Sequence, residues 1–388
     1  MQCGILRHVR RLVGVKIIYV VNEVGFFLSH RLPLGKAAKK LGLDVIVVAA
    51  PNTGEERLAQ YEIDFVPVPM SRSRFSLFAE LRVYQALKRI YRAEKPDIVH
   101  HVTIKPVMYG TIAARRPQVE AVVNAVPGMG FVFTRRGPIA SVRRAIVNVA
   151  YRFALVHKNM RVIFQNTDDL RGFIGHALVR KENAVLIRGS GVDLNEFGST
   201  DEPANTPVTF LLVGRMLCDK GVREFVKAAG IVRRKHPDWK FLLVGDIDPG
   251  NPSTLYKEEL IAWQEEYGVE WLGHQTNVPQ IMQRSHVIVL PSYREGLPKT
   301  LLEGAATRRP MIVSDVAGCR EVVTHGVTGL LIPPREVEPL AQAMNTLGES
   351  ADLRQRYGAA PRQKAEAVFS VEDAVTHTFR VYNELVCT

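Results

Sequence analysis

The sequence predicts an α/β protein built as two parallel-sheet domains, and three observations lead there. Short apolar runs alternate with helical patterns along the whole chain, which is the signature of βαβ units. A polar stretch rich in Asn, Asp, Pro, Ser and Thr, VDLNEFGSTDEPANTPV, interrupts that alternation once, near the middle. At 388 residues and 46% hydrophobic composition, the chain is long and apolar enough to bury two cores.

Taken in order, the first half offers VKIIYVV, DVIVVAAP, IDFVPVP, DIVHHV, AVVNAV, RVIFQN and AVLIRG as strands. Patterns such as SHRLPLGKAAKKLG and SLFAELRVYQALKRIYRAEK lie between them as helices. The strands are near-continuous apolar runs, as expected where helices cover both faces of a sheet. After the polar stretch, TFLLVGR, WKFLLVGD, VEWLG, HVIVLPS, PMIVSD and GLLIPP repeat the scheme. The expected domains are residues 1–195 and 196–369. The final segment, 370–388, contains SVEDAVTHTFRVYNELV with apolar residues at helical spacing. There are no repeats and no low-complexity tracts.

Charge is uneven. Residues 1–195 carry 30 Lys and Arg against 14 Asp and Glu, a net of +16, whereas the remainder carries 21 against 25. A basic first half points to an anionic membrane surface or an anionic acceptor. Nucleic acid is not the expected partner, because the basic residues are not interleaved with stacking aromatics. Cys3, Cys218, Cys319 and Cys387 are far apart and show no ligand spacing, so a reduced cytoplasmic protein without structural zinc is expected. The apolar run after the basic start lasts only about seven residues, too short for a span of about 20. A basic helical stretch from Arg135 to Arg161, with 138–157 as its core, combines a cationic rim with apolar residues. It reads equally as a leaflet-binding helix and as a domain helix with a solvated face.

The most informative stretch is PSYREGLPKTLLE, Pro291 to Glu303. It follows a buried strand and puts Glu295 and Glu303 at the two ends of a loop-to-helix junction. Pro298 suits the first position of the helix KTLLEGAATR, and the N-terminus of that helix forms an anion site. About eighty residues earlier, in FLLVGRMLCDKGVREFVKAA, a buried strand ends at Gly214. Arg215 and Lys220 flank the loop that opens a helix at Gly221. An Arg fork and a compact Lys charge suit a diphosphate held without a metal. Their alternative partners in a purely structural role are Asp219 and Glu224.

These elements, Gly214-Arg215 with Lys220-Gly221, the GDIDPGNPS loop and the Glu295-to-Glu303 spacing, resemble the retaining glycosyltransferases of family 4. The resemblance implies the GT-B fold, two Rossmann-like parallel-sheet domains facing a central cleft, with the terminal helix crossing back to the first domain. It implies a nucleotide-sugar donor held by Gly214, Arg215, Lys220, Glu295, Gly296, Leu297, Pro298, Lys299 and Glu303. Glu295 would take the sugar hydroxyls, Glu303 the ribose, and Arg215 and Lys220 the leaving diphosphate. No metal or other cofactor is implied. The base is read by backbone groups around WLGHQTN, so side chains leave uracil and guanine open, with a UDP-linked N-acetylhexosamine as the expected donor. In the first half, FFLSHR and HHVTIKP resemble a narrower group that extends polyprenyl-diphosphate-linked sugars. That likeness makes His30, at a helix start, and Arg31, His101 and Lys105, at strand-to-helix corners, acceptor-side candidates. Two departures stand out. Asn124 and Pro127 occupy the region where some members place a His, and only Gly25 remains of a Gly-Gly pair after the first strand. AVPGMGFVFTRRG has Gly128 and Gly130 but no third Gly at dinucleotide spacing.

The expected function is therefore retaining sugar transfer to a lipid-linked acceptor in cell-surface polysaccharide or lipopolysaccharide assembly, by a protein attached peripherally to the cytoplasmic face of the cell membrane. A sugar-nucleotide epimerase of the same architecture and a non-catalytic sugar-nucleotide-binding protein are the alternatives.

Overall fold

The computed structural model describes residues 12–51, 54–70, 76–115, 119–128, 138–204 and 206–386. Two compact units emerge: Met1–Ser190 together with Glu372–Thr388, and Gly191–Val371. The polar stretch between the expected domains belongs to the second unit. Its Thr200 and Asp201 accept hydrogen bonds from the buried Arg309.

The first unit holds a seven-stranded parallel sheet: β1 (Lys16–Glu23), β2 (Asp44–Ala50), β3 (Asp64–Pro67), β4 (Ile98–Val102), β5 (Ala121–Val126), β6 (Met160–Phe164) and β7 (Ala184–Leu186), in the order β3-β2-β1-β4-β5-β6-β7. The second holds six parallel strands: β8 (Thr209–Val213), β9 (Lys240–Val244), β10 (Glu270–Trp271), β11 (Val287–Leu290), β12 (Met311–Ser314) and β13 (Gly329–Ile332), in the order β10-β9-β8-β11-β12-β13. All thirteen expected strands are present. VEWLG contributes only two residues, because it pairs on one side alone, with β9.

The apolar runs fold as strands because both faces are covered. Ile17 to Val21 of β1 and Val287 to Leu290 of β11 have no exposed surface. Burial of such side chains, each worth about 1.5–3 kcal/mol, holds the sheets against their helices. In each sheet the strand order reverses direction once, between β1 and β4 and between β8 and β11. Crevices at the carboxyl ends of such strand pairs are where open α/β sheets bind ligands.

Helix α1 (Val24–His30) follows β1, and α2 (Leu32–Lys40) begins one residue later. His30 therefore closes a helix instead of opening one, since Arg31 breaks the run with φ −128° and ψ −8°. The basic helix is α3 (Pro138–Ala154), while Arg135 and Arg136 lie outside the described residues. In the second unit α4 (Val222–Arg233) follows β8 and α5 (Lys299–Ala306) follows β11. Pro298 sits at the N-cap of α5, one residue before the first helical turn, because its ψ of 123° is extended. Helix α6 (Val371–Val386) closes the described chain.

Candidate functional site

At the carboxyl edge of the second sheet, the exits of β8, β9 and β10 are all glycines: Gly214, Gly245 and Gly273. Gly214 donates its N–H to Val244 O at 2.9 Å, and Gly245 donates to Gly273 O at 2.8 Å. A side chain on Gly245 would strike Gly214 O, and Gly245 also has φ +133°, so only glycine lets these two backbones approach. Around Gly214 and Gly273 a Cβ would meet nothing within 4 Å. The edge is thus open backbone over three adjacent strands.

Two loops close this edge on its other side, and they are tied to each other. Tyr293 N–H donates to Asp219 O at 2.9 Å, and Gly221, at φ +72°, packs against Pro291 O so closely that a Cβ there would lie 2.1 Å away. Across that contact Lys220 Nζ donates to Glu295 Oε1 at 2.5 Å, with both side chains largely buried. The sequence signals are separated by 75 residues, and the adjacency of β8 and β11 brings them together.

Arg215 is half exposed and pairs with Asp248 of the GDIDPGNPS loop. Its partner is thus neither Asp219 nor Glu224, which instead face Arg294 at 3.7 Å and the Tyr293 hydroxyl at 2.7 Å. The GDIDPGNPS loop is held by Cys218 N–H donating to Ser253 O and by Leu255 N–H donating to Met216 O. Trp271 Nε1 donates to Gly245 O at 2.8 Å, which fixes the WLGHQTN turn against the same edge.

Helix α5 points its start at this edge. Thr300 Oγ1 donates to Val213 O at 3.1 Å, and no side chain caps the helix. Glu303 lies one turn on, 7% exposed, with Lys299 Nζ at 3.4 Å. Burial pushes its carboxyl above the usual range, and Lys299 opposes that shift. Leu297, expected among the donor contacts, turns its side chain into the core with Leu301 and Leu302, so only its backbone can face the edge. Gly296 presses its carbonyl against Gly318. Three groups here escaped sequence reasoning. Tyr293 carries the Arg335 guanidinium 4.5 Å from its ring centroid, and the Ser292 and Ser314 hydroxyls are buried without a partner among the described residues. Their only sequence signal is their place at strand exits.

In the first unit the expected acceptor-side residues separate. His101 is not at a corner. It lies inside β4, fully buried, with Nε2 2.9 Å from the Tyr91 hydroxyl and Nδ1 2.8 Å from Asn124 Oδ1. Burial pulls its pKa down to about 4, so it is neutral at pH 7. Asn124 likewise sits inside β5 and not in its exit loop. His30 stacks on Phe26 at 4.4 Å and meets Ser29 Oγ at 2.6 Å. Lys105, just after β4, pairs with Glu80 at 2.6 Å. Arg31 is 7% exposed at the junction of α1 and α2.

Two parallel-sheet domains define a GT-B fold, and the open glycine edge, the paired cations and the uncapped helix start of the second form its candidate site. Residues 207–350 match the family described as glycosyl transferases group 1, and residues 16–166 match glycosyl transferase 4-like. The chain belongs to this group of glycosyltransferases. It is 26% identical over 351 residues to N,N'-diacetylbacillosaminyl-diphospho-undecaprenol alpha-1,3-N-acetylgalactosaminyltransferase of Campylobacter jejuni, covering 84% of this chain and 90% of that one. It is 27% identical over 293 residues to UDP-Gal:alpha-D-GlcNAc-diphosphoundecaprenol alpha-1,3-galactosyltransferase of Escherichia coli, covering 71% and 73%. Among solved structures, Anabaena HepE in complex with UDP-glucose superposes with a TM-score of 0.74 at 20% identity, over 94% of this chain and 98% of that one.

Proposed function

We propose that the chain transfers a sugar, an N-acetylhexosamine, from a UDP-sugar to a polyprenyl-diphosphate-linked saccharide, with retention of configuration and without a metal. The observation that carries this reading is the Lys220–Glu295 pair at the β8/β11 reversal. It puts one cation and one carboxylate side by side where a donor's diphosphate and its sugar must also lie side by side. Arg215, Lys220 and the start of α5 offer positive charge to the leaving diphosphate, and such preorganised charge lowers the barrier where negative charge develops. Glu295 accepts from sugar hydroxyls and Glu303 from the ribose, since a carboxylate takes two strong hydrogen bonds from neighbouring hydroxyls. The two relatives that act on undecaprenyl-diphosphate-linked sugars support the acceptor class.

Attachment to an anionic membrane face fits the first unit. Ile146, Val149, Phe153 and Val156 recur at helical spacing along and just beyond α3 and are each more than half exposed, beside the exposed Arg152. An apolar stripe with a cationic rim seats a helix at a leaflet surface. No helix among the described residues is long and apolar enough to cross a membrane.

The test is incubation of the purified chain with radiolabelled UDP-sugars and lipid extracts, with and without EDTA. Label should enter the organic phase equally in both, and NMR of the product should show the donor's anomeric configuration. Conversion of donor to an epimer without acceptor, or recovery only with manganese, would overturn the reading.

A further inference from the structure

Lys220 meets Glu295 across two loops, and Tyr293 spans the same gap on both sides of Lys220. Its backbone N–H donates to Asp219 O at 2.9 Å, one residue before Lys220. Its hydroxyl donates to Glu224 Oε1 at 2.7 Å, in the first turn of α4 and four residues after Lys220. Both bonds leave a residue that stands two positions before Glu295, with Arg294 alone between the anchor and the carboxylate. Gly318, whose N–H donates to Glu295 O at 3.2 Å, holds the loop from another segment and has no part in its register against Lys220.

The ring is held as well as the hydroxyl. Arg335 follows β13 with a left-handed backbone, φ +68°, a conformation that costs a residue with a Cβ free energy and persists where its surroundings offset it. Its guanidinium lies 4.5 Å from the Tyr293 ring centroid, within reach of the π face. Burial, and then Glu224, push the phenol pKa up against the smaller opposing pull of Arg335, so the hydroxyl keeps its proton and the carboxylate accepts it as a hydrogen bond. Glu224 Oε2 is buried without a partner among the described residues. Loss of the Tyr293 hydroxyl would therefore leave the other oxygen unsatisfied too, which favours the closed bond once the loops meet.

We infer that Tyr293 is a positioning residue of this site: by clamping its loop to both flanks of Lys220, through Asp219 and Glu224, it holds the Glu295 carboxylate in place for the donor's sugar. Without the clamp, the backbone between Pro291 and Leu297 would have to be ordered each time a donor bound, and that entropy would be subtracted from affinity. Glu303 is carried by α5 and does not depend on Tyr293, so the clamp acts on the sugar end of a sugar nucleotide and not on its nucleotide end. That Glu295 takes the sugar rests on the proposed function above; that Tyr293 sets the Lys220–Glu295 pair does not.

Calorimetry of the full chain tests this with UDP and with whichever of UDP-N-acetylgalactosamine and UDP-N-acetylglucosamine binds the wild type. Tyr293→Phe keeps the ring under Arg335 and removes only the hydroxyl. It should weaken the sugar nucleotide by about fivefold or more and leave UDP within about twofold. Glu224→Leu should do the same, the double variant should add nothing further, and Glu224→Gln, whose amide oxygen still accepts the hydroxyl, should bind as the wild type does. Equal weakening of both ligands, or additive effects of Tyr293→Phe and Glu224→Leu, overturns the positioning role. A second measurement needs no donor: the coupling between Lys220→Met and Glu295→Gln in urea denaturation should be present in the wild type and lost on a Tyr293→Phe background. Coupling that survives Tyr293→Phe overturns the clamp. If neither sugar nucleotide binds the wild type, the donor reading fails, while loss of the coupling still upholds the clamp. Should Tyr293→Phe fail to fold, the same cycle run on Glu224→Leu and Glu224→Gln decides: coupling lost in the first and kept in the second upholds the clamp, and any other pattern overturns it.

Discussion

The two charged regions described above handle their cations in opposite ways. At the second unit's glycine edge every candidate cation has a carboxylate beside it: Lys220 with Glu295, Arg215 with Asp248, Lys299 with Glu303. At the first unit's strand reversal the buried Arg31 has none among the described residues, and its charge acts on the Tyr19, His100 and Tyr382 rings. A paired cation must share itself with an arriving phosphate, so its net gain on binding is moderated and the ligand can leave again. A leaving group that must depart every turnover suits the paired arrangement of the second unit.

The largest expected effect breaks the paired region at its centre. Lys220→Ala should lower turnover by about 10²–10³-fold, the range seen when one preorganised donor is removed from a site of developing charge. Circular dichroism should show an intact fold, since the two loops that Lys220 joins are also tied by the Tyr293 N–H to Asp219 O hydrogen bond. Equal turnover in the variant would show that the pair is structural.

Next come the two glutamates. Glu303→Gln should weaken UDP binding by about 1–3 kcal/mol, as for a charged hydrogen bond left incomplete. Glu295→Gln should leave UDP binding intact or tighten it, because Lys220 loses its competitor, while transfer falls. Calorimetry with UDP and with UDP-sugar separates these outcomes. If Glu295→Gln lost UDP affinity as much as Glu303→Gln, the division of roles would be wrong.

Arg215→Ala should have a smaller effect than Lys220→Ala, about tenfold in kcat/KM, because its pair with Asp248 lies half in water, where ion pairs are worth up to about 1 kcal/mol. Steady-state kinetics of the two variants side by side checks the ranking.

The smallest effect concerns stability. The carboxyl of Glu303 is held above its ordinary range chiefly by burial, so its charged form is disfavoured in the fold. Its contribution is therefore most favourable below the unfolded carboxylate range and is lost as pH rises through the raised value. Glu303→Gln should melt higher than the wild type at pH 7, by about 1–3 °C, and the gain should vanish at acid pH. UDP affinity of the wild type should also begin to fall, on acidification, at a higher pH than for an exposed carboxylate. A variant that melts lower at neutral pH would show that Lys299 outweighs burial.

The sequence by itself determined the strands, the two sheets and the two charged loops of the second unit, because these rest on local facts. Apolar runs mark buried strands, glycines mark strand exits, and the eight-residue spacing from Glu295 to Glu303 survives folding unchanged. The tertiary structure alone decided who faces whom. His101 and Asn124 sit in the interior because β4 and β5 are neighbours, and Leu297 turns inward because Leu301 and Leu302 offer it a core. Lys220 meets Glu295 only because β8 lies beside β11, and the Tyr19, His100 and Tyr382 rings meet only because β1, β4 and α6 come together. Strand order and side-chain partners depend on contacts between distant segments, and a period of two or of 3.6 residues carries no record of them.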